Sequence, residues 1–190
     1  MSTTAEESLL HRHRLDVDAY YRMAEAGILG PDARVELIEG EIIDMAPIGS
    51  RHAAAVSRLA HLLHQKIGQQ VIVWTQNPLR LDEYSEPEPD LALLRPQEDF
   101  YKSAHPSPRD VLLVIEVAES SLRYDREIKI PLYARHGIPE AWLVDVENEA
   151  LTLFREPSES GYRQEIHPDT FTAITPATLP ALALDLSGLF

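Results

Sequence analysis

Two carboxylates and a lysine stand where this chain could do chemistry. Asp90 follows Pro89 and opens the apolar run LALL, Glu116 follows the run VLLVI, and Lys129 lies one predicted helix later. If the two runs are neighbouring strands, Asp90 and Glu116 lie side by side at one end of a sheet. Carboxylates a few ångströms apart repel and are costly unless a cation lies between them. Mg²⁺ is hard, takes oxygen ligands, keeps several waters, and often uses only one or two carboxylates plus substrate phosphate. A lysine beside that ion can orient the attacking water and counter charge on the phosphate. The chemistry of such a group is metal-assisted hydrolysis of a phosphodiester. Each residue also has a plainer reading. Asp90 is then a turn residue, Glu116 an edge carboxylate paired with Arg123, and Lys129 a solvated helix residue with Asp125 four residues back as its partner.

The elements that must position these groups are read along the chain. Residues 1–14 are polar and predicted to be a flexible N-terminus; residues 15–190 form one predicted domain, with no internal repeat. Asp16 is placed to cap a helix through DAYYRMAEAG. RVELIEGEIIDM reads as two short strands around Glu39-Gly40, a hairpin signal. In SRHAAAVSRLAHLLHQKIG, the residues His52, Val56, Leu59, Leu63 and Ile67 share one helical face. This helix has no acid, and its outer face carries Arg51, Arg58 and Lys66. VIVWTQ, PLRLDEY and DLALLR each read as a strand, and SEPEP as a proline-rich turn. DVLLVIEVAE is a buried strand. SLRYDREIKIPLYARHGI is helical, and Pro131 would kink it unless the first turn is irregular. EAWLVDVENEALTLFREP reads as two strands, GYRQEIH as one more, and the apolar, proline-punctuated tail is expected to lie along the body. The order is that of a mixed α/β (α+β) domain, one central sheet flanked by helices.

Composition bounds the partners. The formal net charge is −14, which counts against nonspecific binding to a long duplex and leaves room for a local basic patch. The plain explanation of the acid is a solvated surface. No apolar run approaches a membrane span, and no N-terminal apolar core suggests secretion. The chain has no cysteine, so thiolate zinc sites are excluded and a reducing, cytoplasmic compartment fits.

Three segments, ARVELIEGEIIDMAPIGSRHAAAVSRLAHLL, EPEPDLALL and VLLVIEVAESSLRYDREIKIPLYARHGIPEAWLVD, together resemble the Uma-two family of "putative restriction endonucleases". The resemblance covers roughly residues 15–186. It implies a restriction-endonuclease-like PD-(D/E)xK fold, a central mixed sheet flanked by helices. It implies Asp90 as the motif's aspartate and Glu116 as its second acid, both metal ligands, with Mg²⁺ or Mn²⁺ as cofactor and DNA as the nucleic-acid partner. The chain departs from the motif two residues after Glu116, where Ala118 replaces the lysine. Lys129, on the following helix, is the position matching the family's displaced lysine. Upstream, Glu36 best matches a recurring acid of the family's first hairpin, and an exposed hairpin charge is its other reading.

His52 heads the inward stripe of the basic helix and is either a hydrogen-bonded structural histidine or a group reaching the metal site or a phosphate. Arg51 and Arg58 are candidates for phosphate contact. His61 and His64 lack carboxylate partners at ligand spacing and read as surface. Trp142 and Asp145 serve their strand, and Tyr133 reads as core, with support of the site as its other reading. No glycine-rich phosphate loop, GxSxG elbow or HExxH is present. Two functions remain in view. One is a Mg²⁺-dependent endonuclease in which Asp90 and Glu116, helped by the Val117 carbonyl, hold the metal and Lys129 positions water; a homodimer would supply one site per strand. The alternative is a non-catalytic interaction protein that keeps the fold, with Lys129 pointing away or the tail plugging the cleft.

Overall fold

The computed structural model describes residues 12–68 and 70–190. Residues 1–11 of the predicted flexible terminus, His11 among them, lie outside the described residues. Arg12 pairs with Glu41 at 3.1 Å, and Arg14 Nε donates to the Glu39 carbonyl at 2.7 Å, so both lie against the hairpin that follows.

Helix α1, Val17–Glu25, begins where the sequence places a cap: Asp16 accepts from the Ala19 N–H at 2.6 Å. Strands β1, Val35–Ile38, and β2, Glu41–Asp44, pair antiparallel. Their turn puts Glu39 and Gly40 at φ 50° and 84°, the left-handed pair that a two-residue hairpin requires. Helix α2, Ser50–Ile67, buries the predicted stripe from Val56 to Ile67.

The sheet follows: β3 Ile72–Thr75, β4 Leu91–Leu94, β5 Val111–Ala118, β6 Glu140–Asp145, β7 Ala150–Ser158 and β8 Gly161–Ile166, in that spatial order. Every neighbouring pair is antiparallel except β5 and β6. A parallel pair needs a crossover, and the connection is helix α3, residues 122–135. It has three parts: Leu122–Tyr124, a π-helical turn Asp125–Lys129, and Ile130–Arg135. Here is the irregular turn that Pro131 demanded. The Ile130 N–H bonds back five residues to the Asp125 carbonyl, and the proline, with no N–H to place, follows at no loss.

One predicted strand is absent. In PLRLDEY, Leu79 and Leu81 do turn inward, as alternation requires. Their N–H groups, however, bond to the carbonyls of Pro87 and Ser85 in a loop closed on itself. Prolines at 78, 87 and 89 deny the segment the donors of a ladder.

The two faces of the sheet hold separate cores. Leu91, Leu93, Leu113, Ile115 and Val117 pack under α2, where the tail adds Leu182, Leu184, Leu186 and Leu189. Ala92, Leu94, Val114, Ala118, Ile130, Leu132 and Tyr133 pack on the opposite face, under α3. Each fully buried large side chain contributes about 1.5–3 kcal/mol. No helix among the described residues is long and apolar enough to cross a membrane.

Candidate active site

Strand alternation decides which face the acids share. Glu116 falls between Val114 and Ala118, two residues short of the end of β5, and so points toward α3 with them. Asp90 precedes β4, two residues from Ala92, and belongs to the same face. The register pairs Leu91 with Ile115, which sets Asp90 opposite Glu116. Asp90 Oδ2 accepts from the Val117 N–H at 2.9 Å, fixing its carboxylate to the neighbouring strand. The other oxygen, Oδ1, takes His52 Nε2 at 3.0 Å and Gln76 Nε2 at 3.2 Å.

Lys129 reaches down from α3 onto this face. Its Nζ lies 2.8 Å from Glu116 Oε1 and 3.3 Å from Glu36 Oε2, and 3.5 Å from the Glu88 carbonyl. An ammonium has three donors, and these three acceptors match them. Tyr133, one turn further along α3, donates to Glu116 Oε1 at 2.5 Å. Glu36 Oε2 also accepts from the Glu88 N–H at 3.1 Å. The structure therefore brings Asp90, Glu116, Lys129, Glu36 and His52 together, on a cavity of about 280 Å³ that also exposes Glu88, Glu119, Asp125, Tyr124 and Arg34.

The electrostatics follow from acid gathered in a dry place. Burial pushes the Glu116 carboxyl up from 4.5 to about 8; the Lys129 ammonium opposes this, while Asp125 and Asp90 add to it. Burial alone would lower Lys129, but Glu116, Tyr133, Glu36 and Asp125 outweigh it and hold the ammonium well above its usual value. Burial raises Asp125 against Lys129 and the Ser121 hydroxyl, which donates to it at 2.6 Å. Burial and Glu36 raise Glu88. His52 is held up by its hydrogen bond to Asp90, which outweighs burial.

Arg51 and Arg58 lie elsewhere. The Arg51 guanidinium donates to the Val146 carbonyl at 2.8 Å, at the end of β6. Arg58 packs so close to Gly188 of the tail that a Cβ there would lie 2.3 Å from its Nη2. Arg34, from the hairpin, is the guanidinium on the cavity. Trp142 is buried and donates to Glu140, and Asp145 ties the turn after β6, as strand residues do. Glu39 sits in its turn and pairs with Arg135 at 3.1 Å. His61 bonds only Gln65, at 2.8 Å on the helix surface. Glu88, Glu119 and Tyr124 are site groups that sequence reasoning passed over; Asp125 entered it only as an ion-pair partner of Lys129, and Tyr133 as core or a support for the site. Glu88 carried a signal in EPEPD, where it shares strand alternation with Asp90; Tyr133 carried one in its four-residue spacing from Lys129.

The donor set suits a hard divalent ion. Its carboxylates are oxygen donors in acidic excess, and burial first, with Asp125 and Asp90 beside it, holds the Glu116 carboxyl up against Lys129. Among the described residues no three His, Asp or Glu side chains converge as a ligand group. Asp90 and Glu116 would hold such an ion as a pair, with waters completing its shell.

Comparison with known proteins bears on family and fold. A family model, Uma2, described as "Putative restriction endonuclease", matches residues 17–187. A solved structure titled as a "putative nuclease belonging to DUF820" from Anabaena variabilis ATCC 29413 superposes with a TM-score of 0.69 at 17% identity, covering 93% of this chain and 97% of that one. At that identity the likeness carries the fold alone. No curated protein matches the chain.

Proposed function

Because the chain belongs to the Uma2 restriction-endonuclease-like family, we propose that it is a metal-dependent nuclease of the PD-(D/E)xK type that hydrolyses phosphodiester bonds in DNA. One observation carries this. Asp90 and Glu116 face each other across β4 and β5, with Lys129 on Glu116, inside an open cavity. The tail packs under α2 on the other face of the sheet, not in this cavity, which supports catalysis over a plugged, non-catalytic scaffold.

A bound Mg²⁺ or Mn²⁺ supplies Lewis acidity toward the scissile phosphate and a more acidic water. Asp90 and Glu116 would hold it, the first oriented by His52, Gln76 and the Val117 N–H, the second by Lys129 and Tyr133. Lys129 opposes the burial that raises Glu116 and offsets charge growing on the phosphate oxygens. Glu88, half-buried with a raised carboxyl, accepts the proton of the attacking water. The new P–O bond forms as the bond to the leaving sugar oxygen breaks. Two copies of the chain would offer one site to each strand of a duplex.

The test is cleavage of plasmid and of short labelled single-stranded and duplex DNA, in Mg²⁺, Mn²⁺ or chelator, beside Asp90→Asn and Glu116→Gln. Metal-dependent cutting absent from both variants is expected. Equal cutting by wild type and variants would overturn the assignment of the acids. No cutting by the wild type in either metal would favour the interaction scaffold.

A further inference from the structure

A second cavity, of about 330 Å³, opens between α1 and the segment 86–90. Glu88 lines both cavities, so that segment is their common wall. SEPEPD places Glu86, Glu88 and Asp90 two residues apart with prolines between. The extended chain thus carries a carboxylate from the second cavity to the catalytic one at every other position.

The floor of this cavity holds an unexplained acceptor. Glu86 is 2% exposed, and its Oε2 is buried with no hydrogen-bond partner. Its Oε1 accepts from the Tyr21 hydroxyl at 2.6 Å. A buried, half-satisfied carboxylate is costly, and as an acceptor it calls for a donor. The walls are aromatic and apolar, with Tyr20, Tyr21, Leu29, Pro31 and Pro78 among them, and no lysine or arginine lines them. Phosphate is therefore disfavoured. A flat ring bearing N–H groups is favoured, because it can lie against the tyrosines and donate to the acid. Tyr21 is held by its hydroxyl between Glu86 and His105 Nε2, the latter at 3.1 Å. It is 36% exposed and lies against His105, with rings 6.4 Å apart and 19° from parallel.

We propose that this cavity binds one unstacked nucleobase of the substrate strand, with Glu86 accepting from an exocyclic amino group and the Tyr20–Tyr21 pair, whose rings meet edge to face at 77°, offering one ring face to stack on and one ring edge beside it. It rests on the nuclease reading for its neighbour. It adds a preference for adenine, cytosine or guanine over thymine, which has no exocyclic amino group and whose single ring N–H donor, N3–H, is flanked by two carbonyls that would crowd the carboxylate.

The full chain in chelator, titrated with fluorescein-labelled oligodeoxynucleotides of cytosine, of thymine and of abasic units, tests this by anisotropy. The cytosine strand is expected to bind at least about tenfold tighter than the other two. Glu86→Gln, whose amide can donate to a thymine carbonyl, is expected to shrink the cytosine-to-thymine ratio below about threefold. Ala24→Trp, which fills the cavity from α1 without touching Glu86, is expected to abolish the cytosine-to-abasic ratio at an unchanged thermal midpoint. Equal wild-type affinity for cytosine and abasic strands, or ratios untouched by both variants, overturns the pocket. So does Mn²⁺ broadening of the Tyr20 and Tyr21 resonances without base discrimination, which marks a cation site instead. Base discrimination without cleavage keeps the pocket and removes the nuclease; Asp90-dependent cleavage without discrimination does the reverse.

Discussion

Glu116 binds its proton more tightly folded than unfolded, and stability must record that. Its carboxyl rises from 4.5 to about 8, so between those values the folded state holds the extra proton and stability falls as pH rises. His52, raised by Asp90, acts in the same direction: its contribution is full below its ordinary 6.5 and lost as pH rises through its folded value. Chemical denaturation of the metal-free protein is expected to show stability declining from about pH 5 to about pH 8, a decline that Glu116→Gln reduces. Saturating Mg²⁺ should flatten it, because an ion that binds only the folded state adds about 2.7 kcal/mol at a hundredfold excess over its Kd. Stability rising across that window in wild type would mean that Glu116 is not the elevated group. Lys129 gives the complementary case. Lys129→Met leaves Glu116 and Glu36 buried without their cation, which costs about 3–5 kcal/mol. Lys129→Met with Glu116→Leu removes one of the two stranded carboxylates, leaving Glu36, and is expected to recover part of that loss. Urea midpoints for the two variants check it, and equal losses would show that the pair is not coupled.

At the scale of elements, the end of β5 and the start of α2 lock together. Glu119, just past β5, turns its carboxylate to the open N-terminus of α2, 3.4 Å from the His52 N–H. Gly49, the residue before the helix, offers no side-chain cap, and a Cβ there would lie 2.1 Å from Glu119 Oε2. Its backbone, at φ −77°, would accept any residue; the space would not. Gly49→Ala is therefore expected to displace the borrowed cap and cost about 1 kcal/mol. In a Glu119→Ala background the same change should cost almost nothing. A double-mutant cycle on thermal midpoints checks this, and additive losses would refute the cap. Much of this scale was legible in sequence. Alternation in VLLVIEVA and the stripe from His52 to Ile67 decide faces locally, and Asp16 caps its helix through a three-residue contact. The π turn was legible only as a demand, through Pro131. The pairing of Lys129 with Glu36 was not legible from spacing, because a hairpin and a helix far apart in the chain meet only when the sheet forms; the family resemblance pointed to each as a site residue and not to their pairing. Arg51 and Arg58 misled because a helical face says which side is outward and not what tail or strand end covers it.

Taken whole, the molecule is an acid that would have to approach an acid. With a formal net charge of −14, its far field repels a polyanion, and the acids of the cavity repel it further until a cation is bound. Arg34 is the guanidinium on the catalytic cavity, and Lys129 is spent on Glu116 and Glu36. A protein that neutralises many phosphates loses affinity steeply with salt, because each contact releases counterions. At the cavity few such contacts exist to be made, and screening at a Debye length of about 8–10 Å relieves repulsion as much as it weakens attraction. The logarithm of kcat/KM on duplex DNA, plotted against the logarithm of KCl concentration at fixed saturating Mg²⁺, is therefore expected to have a slope between about 0 and −1. A basic enzyme making six or more phosphate contacts would give a slope of about −5 or steeper. Affinity in this protein must then come from the divalent ion and from contacts to sugars and bases rather than from a basic surface. A steep slope would contradict that: it would require a phosphate-binding face away from the cavity, built from exposed arginines such as Arg109 and Arg123.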